Sequence, residues 1–257
     1  MSVTLLCQLP KGTVRFSNIA AVVFDKDGTL ADSASYLHQL ALERARQVAA
    51  IAPDLEAPLL RSFGSSAHQI QPQGLQAVGS RHENLIAAAA HLASCGYGWI
   101  AAREIAEQAF AEADRRFSPK APFTPPLPGV IDLLQRLKTA GLALAVLSGD
   151  RTEEVQAFLA TYQLTHFFRS AMGSDRLPAK PDPTPLKKIC AELAIPPAQT
   201  VVIGDADADG LMAQRASAAG CIGVTWGWPQ PPPLQHCTCT VNEPTQIQIL
   251  PADQQGT

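Results

Sequence analysis

The chain has 257 residues, 46% of them hydrophobic and 17% charged, with a formal net charge of −3 at pH 7. That length and composition suit one large or two small folded domains and exclude a disordered chain. The slight negative charge gives no reason to expect nucleic acid or a membrane surface as partner, and no apolar run reaches the ~18 residues of a membrane span.

The opening MSVTLLCQLPKGTVRF lacks the charged start, long apolar stretch and small-residue cleavage site of a secretory signal. A soluble, cytoplasmic protein is therefore expected. The first strand is read at Ile19–Phe24, an apolar run that leads into Asp25, Lys26, Asp27, Gly28 and Thr29. Extended geometry would put Asp25 and Asp27 on one side and Lys26 on the other, with Gly28 permitting a tight turn.

The segment from about Ser35 to Phe117 is alanine-rich and without a convincing strand. Four helices are expected in it, Ser35–Ala50, Leu55–Phe63, Arg81–Ser94 and Gly98–Phe117, with apolar periodicity that fits a small bundle. Ser80 and Glu83 have capping-box spacing. Arg81 is the best candidate in this segment to meet a substrate anion, beside the plainer reading of a surface arginine. Five prolines between Ser118 and Pro128 suggest a stiff linker. The helices thus look like an insertion between the first strand and the rest of a sheet.

Three further buried strands are expected at Leu142–Leu147, Val201–Ile203 and Cys221–Val224, with weaker candidates at Phe167–Ser170 and Cys237–Val241. Strands alternating with helices imply a parallel sheet covered on both faces. Alternation in the last candidate would put Cys237 and Cys239 on one face, as reduced core thiols rather than a metal site.

Ligands of such a sheet bind beyond the carboxyl ends of its strands. There the sequence places Asp25 and Asp27, then Ser148-Gly149-Asp150, then Asp205, Asp207 and Asp209; Lys180 precedes a proline-rich helix start. Two carboxylates ~4 Å apart repel by about 4 kcal/mol at an effective dielectric near 20. A hard divalent cation with oxygen ligands relieves that cost, and acid-rich strand ends that meet point to Mg²⁺. Ser148 suits an anion and Lys180 a phosphoryl oxygen or the nucleophilic carboxylate. Asp207 is expected to be exposed, and Asp150 and Asp182 to start helices.

In that order DKDGTL, LSGD, KPDP and GDADAD resemble the four motifs of the haloacid dehalogenase superfamily. The resemblance implies a three-layer, Rossmann-like α/β core with a parallel sheet (residues 1–33 and 123–257) and an inserted α-helical cap (34–122). It implies that Asp25 attacks phosphorus and becomes an aspartyl-phosphate, while Asp27 protonates the leaving oxygen and then activates water. Ser148 and Gly149 would hold the phosphoryl oxygens and Lys180 would offset their charge. Mg²⁺ would be held by the Asp25 and Asp205 side chains and the Asp27 carbonyl, with Asp209 a further ligand or a partner orienting Lys180. The acid at position 27 separates this chain from the dehalogenases proper, which lack it, and from the ion pumps, which carry threonine there.

A helical cap at that place resembles phosphoglycolate phosphatase and β-phosphoglucomutase. The expectation is a phosphatase of a small phosphorylated metabolite, monomeric or homodimeric. A phosphosugar mutase and a binding module with a decayed site are the rivals. A phosphonate hydrolase would need a cap lysine, which Ser35–Phe117 lacks.

Overall fold

Ala21–Phe24 forms β3, with all four side chains buried. Such a run, without alternation, belongs in a strand covered on both faces. β4 (Ala143–Leu147) and β6 (Thr200–Gly204) are likewise buried throughout. Together with β5 (Phe168–Met172), β7 (Gly220–Val224) and β8 (Cys239–Val241) they form a six-stranded sheet in the order β5-β4-β3-β6-β7-β8. Every neighbouring pair is parallel. The helices α6 (Val130–Thr139), α7 (Thr152–Thr161), α8 (Thr184–Leu193) and α9 (Asp207–Arg215) connect these strands. Leu186 and Ile189 of α8 and Met212 of α9 pack with Val23, Ala145 and Val202 in one buried cluster. Truncating Leu186 to Ala there would cost about 2–5 kcal/mol.

This computed structural model describes residues 2–66, 68–175 and 178–251. The chain splits into two compact units, Met1–Asp32 with Thr124–Thr257, and Ser33–Phe123. The first holds the parallel sheet. Where the chain leaves and re-enters it, Asp32 N–H donates to Pro125 O at 2.7 Å and Leu127 N–H to Leu30 O at 2.9 Å. The two passages are therefore paired side by side.

The same unit has a second sheet that the sequence reading did not anticipate. β1 (Val3–Leu9), β2 (Gly12–Ile19) and β9 (Ile247–Pro251) pair antiparallel in the order β2-β1-β9. The expected strand Ile19–Phe24 is thus divided at Ala20. Burial of Val3, Leu5 and Cys7 on alternate positions is the signal for β1. Cys237 lies outside β8, against Cys221 (3.5 Å between sulfurs), whereas Cys239 is buried within the strand. The expected shared face does not form because the strand begins after Cys237. All six cysteines are free thiols.

The second unit consists of α1 (Ala34–Ala49), α2 (Glu56–Phe63), the one-turn α3 (Leu75–Val78), α4 (Arg81–Ser94) and α5 (Trp99–Arg116). α5 buries Ala102, Ala106, Ala109, Phe110 and Ala113, one helical stripe whose small residues allow close approach. The Ser80–Glu83 capping box is present: Glu83 N–H donates to Ser80 Oγ and Ser80 N–H to Glu83 Oε2. The unit continues past Phe117 and so includes Lys120, buried with its Nζ over the Tyr36 ring.

Candidate active site

Asp25 is the first residue beyond β3. Its N–H continues the ladder to Ile203 O at 2.8 Å, which fixes its place at the strand end. The chain then turns tightly. Lys26 O accepts the N–H groups of Thr29, Leu30 and Ala31. Gly28 sits at φ +79°, and a Cβ there would lie 2.3 Å from Asp205 Oδ2 and 2.7 Å from Trp228 Nε1. Glycine is required twice over, by backbone angle and by space.

Lys180 brings three of the expected residues together. Its Nζ donates to Asp25 Oδ1 at 2.6 Å and pairs with Asp209 Oδ1 at 2.8 Å. Burial works against the ammonium, but Asp209 and Asp25 outweigh it and hold its pKa above the ordinary lysine value. Asp205 lies at the end of β6 and accepts Thr29 Oγ1–H at 2.9 Å and Trp228 Nε1–H at 2.5 Å. Burial, then the Asp25 and Asp209 charges, push its carboxyl well above the usual range. Asp25 is also pushed up by burial; Lys180 opposes that shift and Asp209 adds to it.

The extended reading of the first motif fails beyond Asp25. Lys26 is fully buried, and its Nζ donates to Asp27 Oδ1 at 2.7 Å while lying 2.8 Å from Asp150 Oδ2. The turn, rather than strand alternation, decides where Lys26 goes. Asp150 is correspondingly an ion-pair partner and not a helix-start residue. The start of α7 is instead capped by Asp175, whose Oδ2 accepts Thr152 N–H and Oγ1–H at 2.8 and 2.5 Å. Asp182 does cap, accepting Thr184 N–H at 2.8 Å. Asp207 is partly buried and accepts His236 N–H at 3.0 Å, so its carboxylate anchors a loop.

Ser148 ends β4 with its N–H on Met172 O, and its buried Oγ accepts Asp150 N–H at 3.1 Å. A hydroxyl that accepts one bond still has its own hydrogen to donate. Strand register puts Phe24 beside Val146 on one side and Ile203 on the other. Asp25, Ser148 and Asp205 therefore leave three adjacent strands at the same end, with Gly149 one residue further along. Arg81 belongs to the helical unit, where its guanidinium is paired with Asp114 at 2.7 Å and Glu107 at 3.1 Å.

Lys26, Thr29 and Trp228 are the site residues that sequence reasoning missed. Thr29 lies within DKDGTL and Trp228 outside all four motifs; each acquires its role from a carboxylate brought to it by the fold. Burial of a polar tip beside Asp205 is the relevant signal, and it exists only in three dimensions.

Asp25 and Asp209 share the Lys180 ammonium and buried Asp205 lies beside them, an excess of two negative charges when all three are ionised. Among the described residues, no three His, Cys, Asp or Glu side chains form a ready-made metal cage. Mg²⁺ needs none: it commonly takes one or two carboxylates and keeps several waters or substrate oxygens. The donor chemistry of Asp25 and Asp205 and the charge excess around them therefore fit a divalent cation.

The fold and these residues can be set against known proteins. A predicted phosphoglycolate phosphatase from Haemophilus somnus 129pt superposes with a TM-score of 0.62 at 21% identity, over 87% of this chain and 94% of that one, which shows a shared fold. Phosphoglycolate phosphatase 1 of Pseudomonas aeruginosa is 29% identical over 240 residues, 91% of this chain and 79% of that protein. A phosphoglycolate phosphatase of Haemophilus influenzae is 35% identical over 102 residues, 39% of this chain but only 45% of that protein's length. The model of the haloacid dehalogenase-like hydrolases matches residues 19–217, and the chain belongs to that family.

Proposed function

We propose that this protein is a Mg²⁺-dependent phosphatase that hydrolyses a small phosphomonoester through an aspartyl-phosphate on Asp25. The observation that carries the reading is Lys180, held between Asp25 and Asp209 beside buried Asp205. Such a cluster is a costly way to build a strand end and a suitable way to meet a phosphoryl dianion. When bound, Mg²⁺ would supply charge compensation for the phosphoryl oxygens and the clustered carboxylates.

The rest of the chemistry belongs to the chain. A carboxylate oxygen of Asp25 attacks phosphorus in line, and Asp27 gives its proton to the departing alkoxide. Lys180 offsets charge on Asp25 and the phosphoryl group, and Asp209 keeps the ammonium in place. Ser148 donates its hydroxyl hydrogen to one phosphoryl oxygen and the Gly149 N–H donates to another. Asp27, now ionised, takes a proton from the water that hydrolyses the acyl phosphate.

The helical unit, Ser33–Phe123, acts in this reading as a cap that selects small substrates. The named relatives make phosphoglycolate the first substrate to test. Six free cysteines fit a reducing, cytoplasmic location. No helix among the described residues is long and apolar enough to cross a membrane.

A phosphate-release screen over several dozen small phosphate esters, with and without Mg²⁺, tests the reading. Metal-dependent release, strongest with small substrates, is expected. Conversion of a phosphosugar to its isomer without free phosphate would replace the phosphatase by a mutase. No turnover of any ester would leave a binding module.

A further inference from the structure

We propose that Lys26 is a positioning residue that holds the Asp27 carboxyl for proton transfer to the leaving group, with Asp150 holding Lys26 in turn. The inference rests on the phosphatase reading above and adds to it a residue outside the proposed nucleophile, acid and metal ligands.

Lys26 has 0% exposure, which is unusual for lysine. Its Nζ donates to Asp27 Oδ1 at 2.7 Å, lies 2.8 Å from Asp150 Oδ2 and sits 5.4 Å from the centre of the Phe158 ring. Its carbonyl is committed as well, closing the turn through three N–H groups. Backbone and side chain are thus both fixed, and the ammonium cannot swing to solvent. If the position needed only volume, an apolar residue would fill it without desolvating an ammonium. The charge therefore points to a use.

That use follows from the proton transfer itself. As Asp25 forms its O–P bond, the P–O bond to the leaving group breaks and the alkoxide takes the Asp27 proton. Asp27 becomes a carboxylate at that moment. A hydrogen bond from Lys26 to Oδ1 strengthens when its acceptor ionises, so it favours the transition state over the ground state. Asp150 offsets the Lys26 charge, so what Asp27 meets is a fixed donor from a paired ammonium.

The test compares kcat/KM for an alkyl phosphate, which needs the acid, with p-nitrophenyl phosphate, whose leaving group departs without one. Lys26→Met should lose about 10²-fold on the alkyl ester, in the range of general acid catalysis, and less than about tenfold on the aryl ester. Asp27→Asn should show the same selectivity, and Asp150→Asn a smaller loss of the same kind. Equal losses of Lys26→Met on both esters, or none, would reduce Lys26 to a structural plug and overturn the proposal. Should Lys26→Met not fold, the isosteric Asp150→Asn decides: selective loss supports the proposal, equal or absent loss overturns it. Asp25→Asn separates the two readings. Retained turnover there removes the phosphatase mechanism; an inactive Asp25→Asn beside an unselective Lys26→Met removes only the role of Lys26.

Discussion

Both units of the protein bury charge, and they do so differently. In the helical unit, Arg44 is buried with Nε and Nη2 on Asp114 Oδ1, Nη1 on Gln76 and its guanidinium 4.5 Å from the Phe110 ring centre. Arg81 pairs with the other oxygen of Asp114 and with Glu107. Each charge there meets a fixed partner. At the carboxyl end of β3 and β6, Asp25 and Asp209 share the Lys180 ammonium with buried Asp205 beside them, and Asp25 and Asp205 are pushed toward their protonated forms. A matched network is scaffold. A mismatched one, maintained by burial, marks a place where a ligand is meant to bring the missing charge.

Removing charge should therefore act in opposite directions in the two places. The largest effect is on chemistry: Asp25→Asn should lower kcat by a factor on the order of 10⁴ or more, read as phosphate release under saturating Mg²⁺. Substantial remaining turnover would refute the nucleophile assignment. The next is on stability. Asp114→Asn takes the carboxylate from buried Arg44 and should destabilise the protein by about 2–3 kcal/mol, less than for a fully buried pair because Asp114 is partly exposed. Urea unfolding would show it as a lower midpoint.

Asp205→Asn should do the reverse, raising metal-free stability by about 1–2 kcal/mol while abolishing activity. A destabilised Asp205→Asn would mean that the cluster is not mismatched. The pH dependence carries the same sign. Asp25 and Asp205 have folded pKa values above their unfolded ones, so between those limits the folded state binds more protons. Their contribution to stability falls as pH rises through the raised values, and rises again on acidification. Chelated protein followed by thermal melting from pH 7 downward should show this gain, and Asp205→Asn should diminish it. The smallest effect is expected at the cap box of α4, where Ser80→Ala should cost about 1 kcal/mol and leave turnover unchanged.

Much of this arrangement is legible in the chain. Runs such as Ala21–Phe24 and Val201–Ile203 are apolar without alternation, which in a short segment means a strand covered on both faces. The alanine stripe of α5 and the Ser80–Glu83 pair are equally local signals. Strand ends carrying Asp25, Ser148 and Asp205 become one site as soon as the sheet is parallel, because parallel strands present their carboxyl ends together. Local pattern sufficed wherever the interaction partner lies within a few residues or is dictated by the sheet.

Tertiary structure decided the rest. The sheet of β2, β1 and β9 pairs Cys7 with Ile247, far apart in the chain, and β2 is mostly exposed, so neither that pairing nor that strand has a local apolar signal. Lys26 appeared to point away from Asp27 because alternation assumes an extended chain, whereas the Gly28 turn folds it back onto Asp27 and Asp150. Trp228 and Thr29 took on roles only when Asp205 arrived between them. The order of residues dictates which groups carry charge and which strand ends hold them. Which charge faces which, and with how little water, depends on distance and burial, and these exist only in the folded chain.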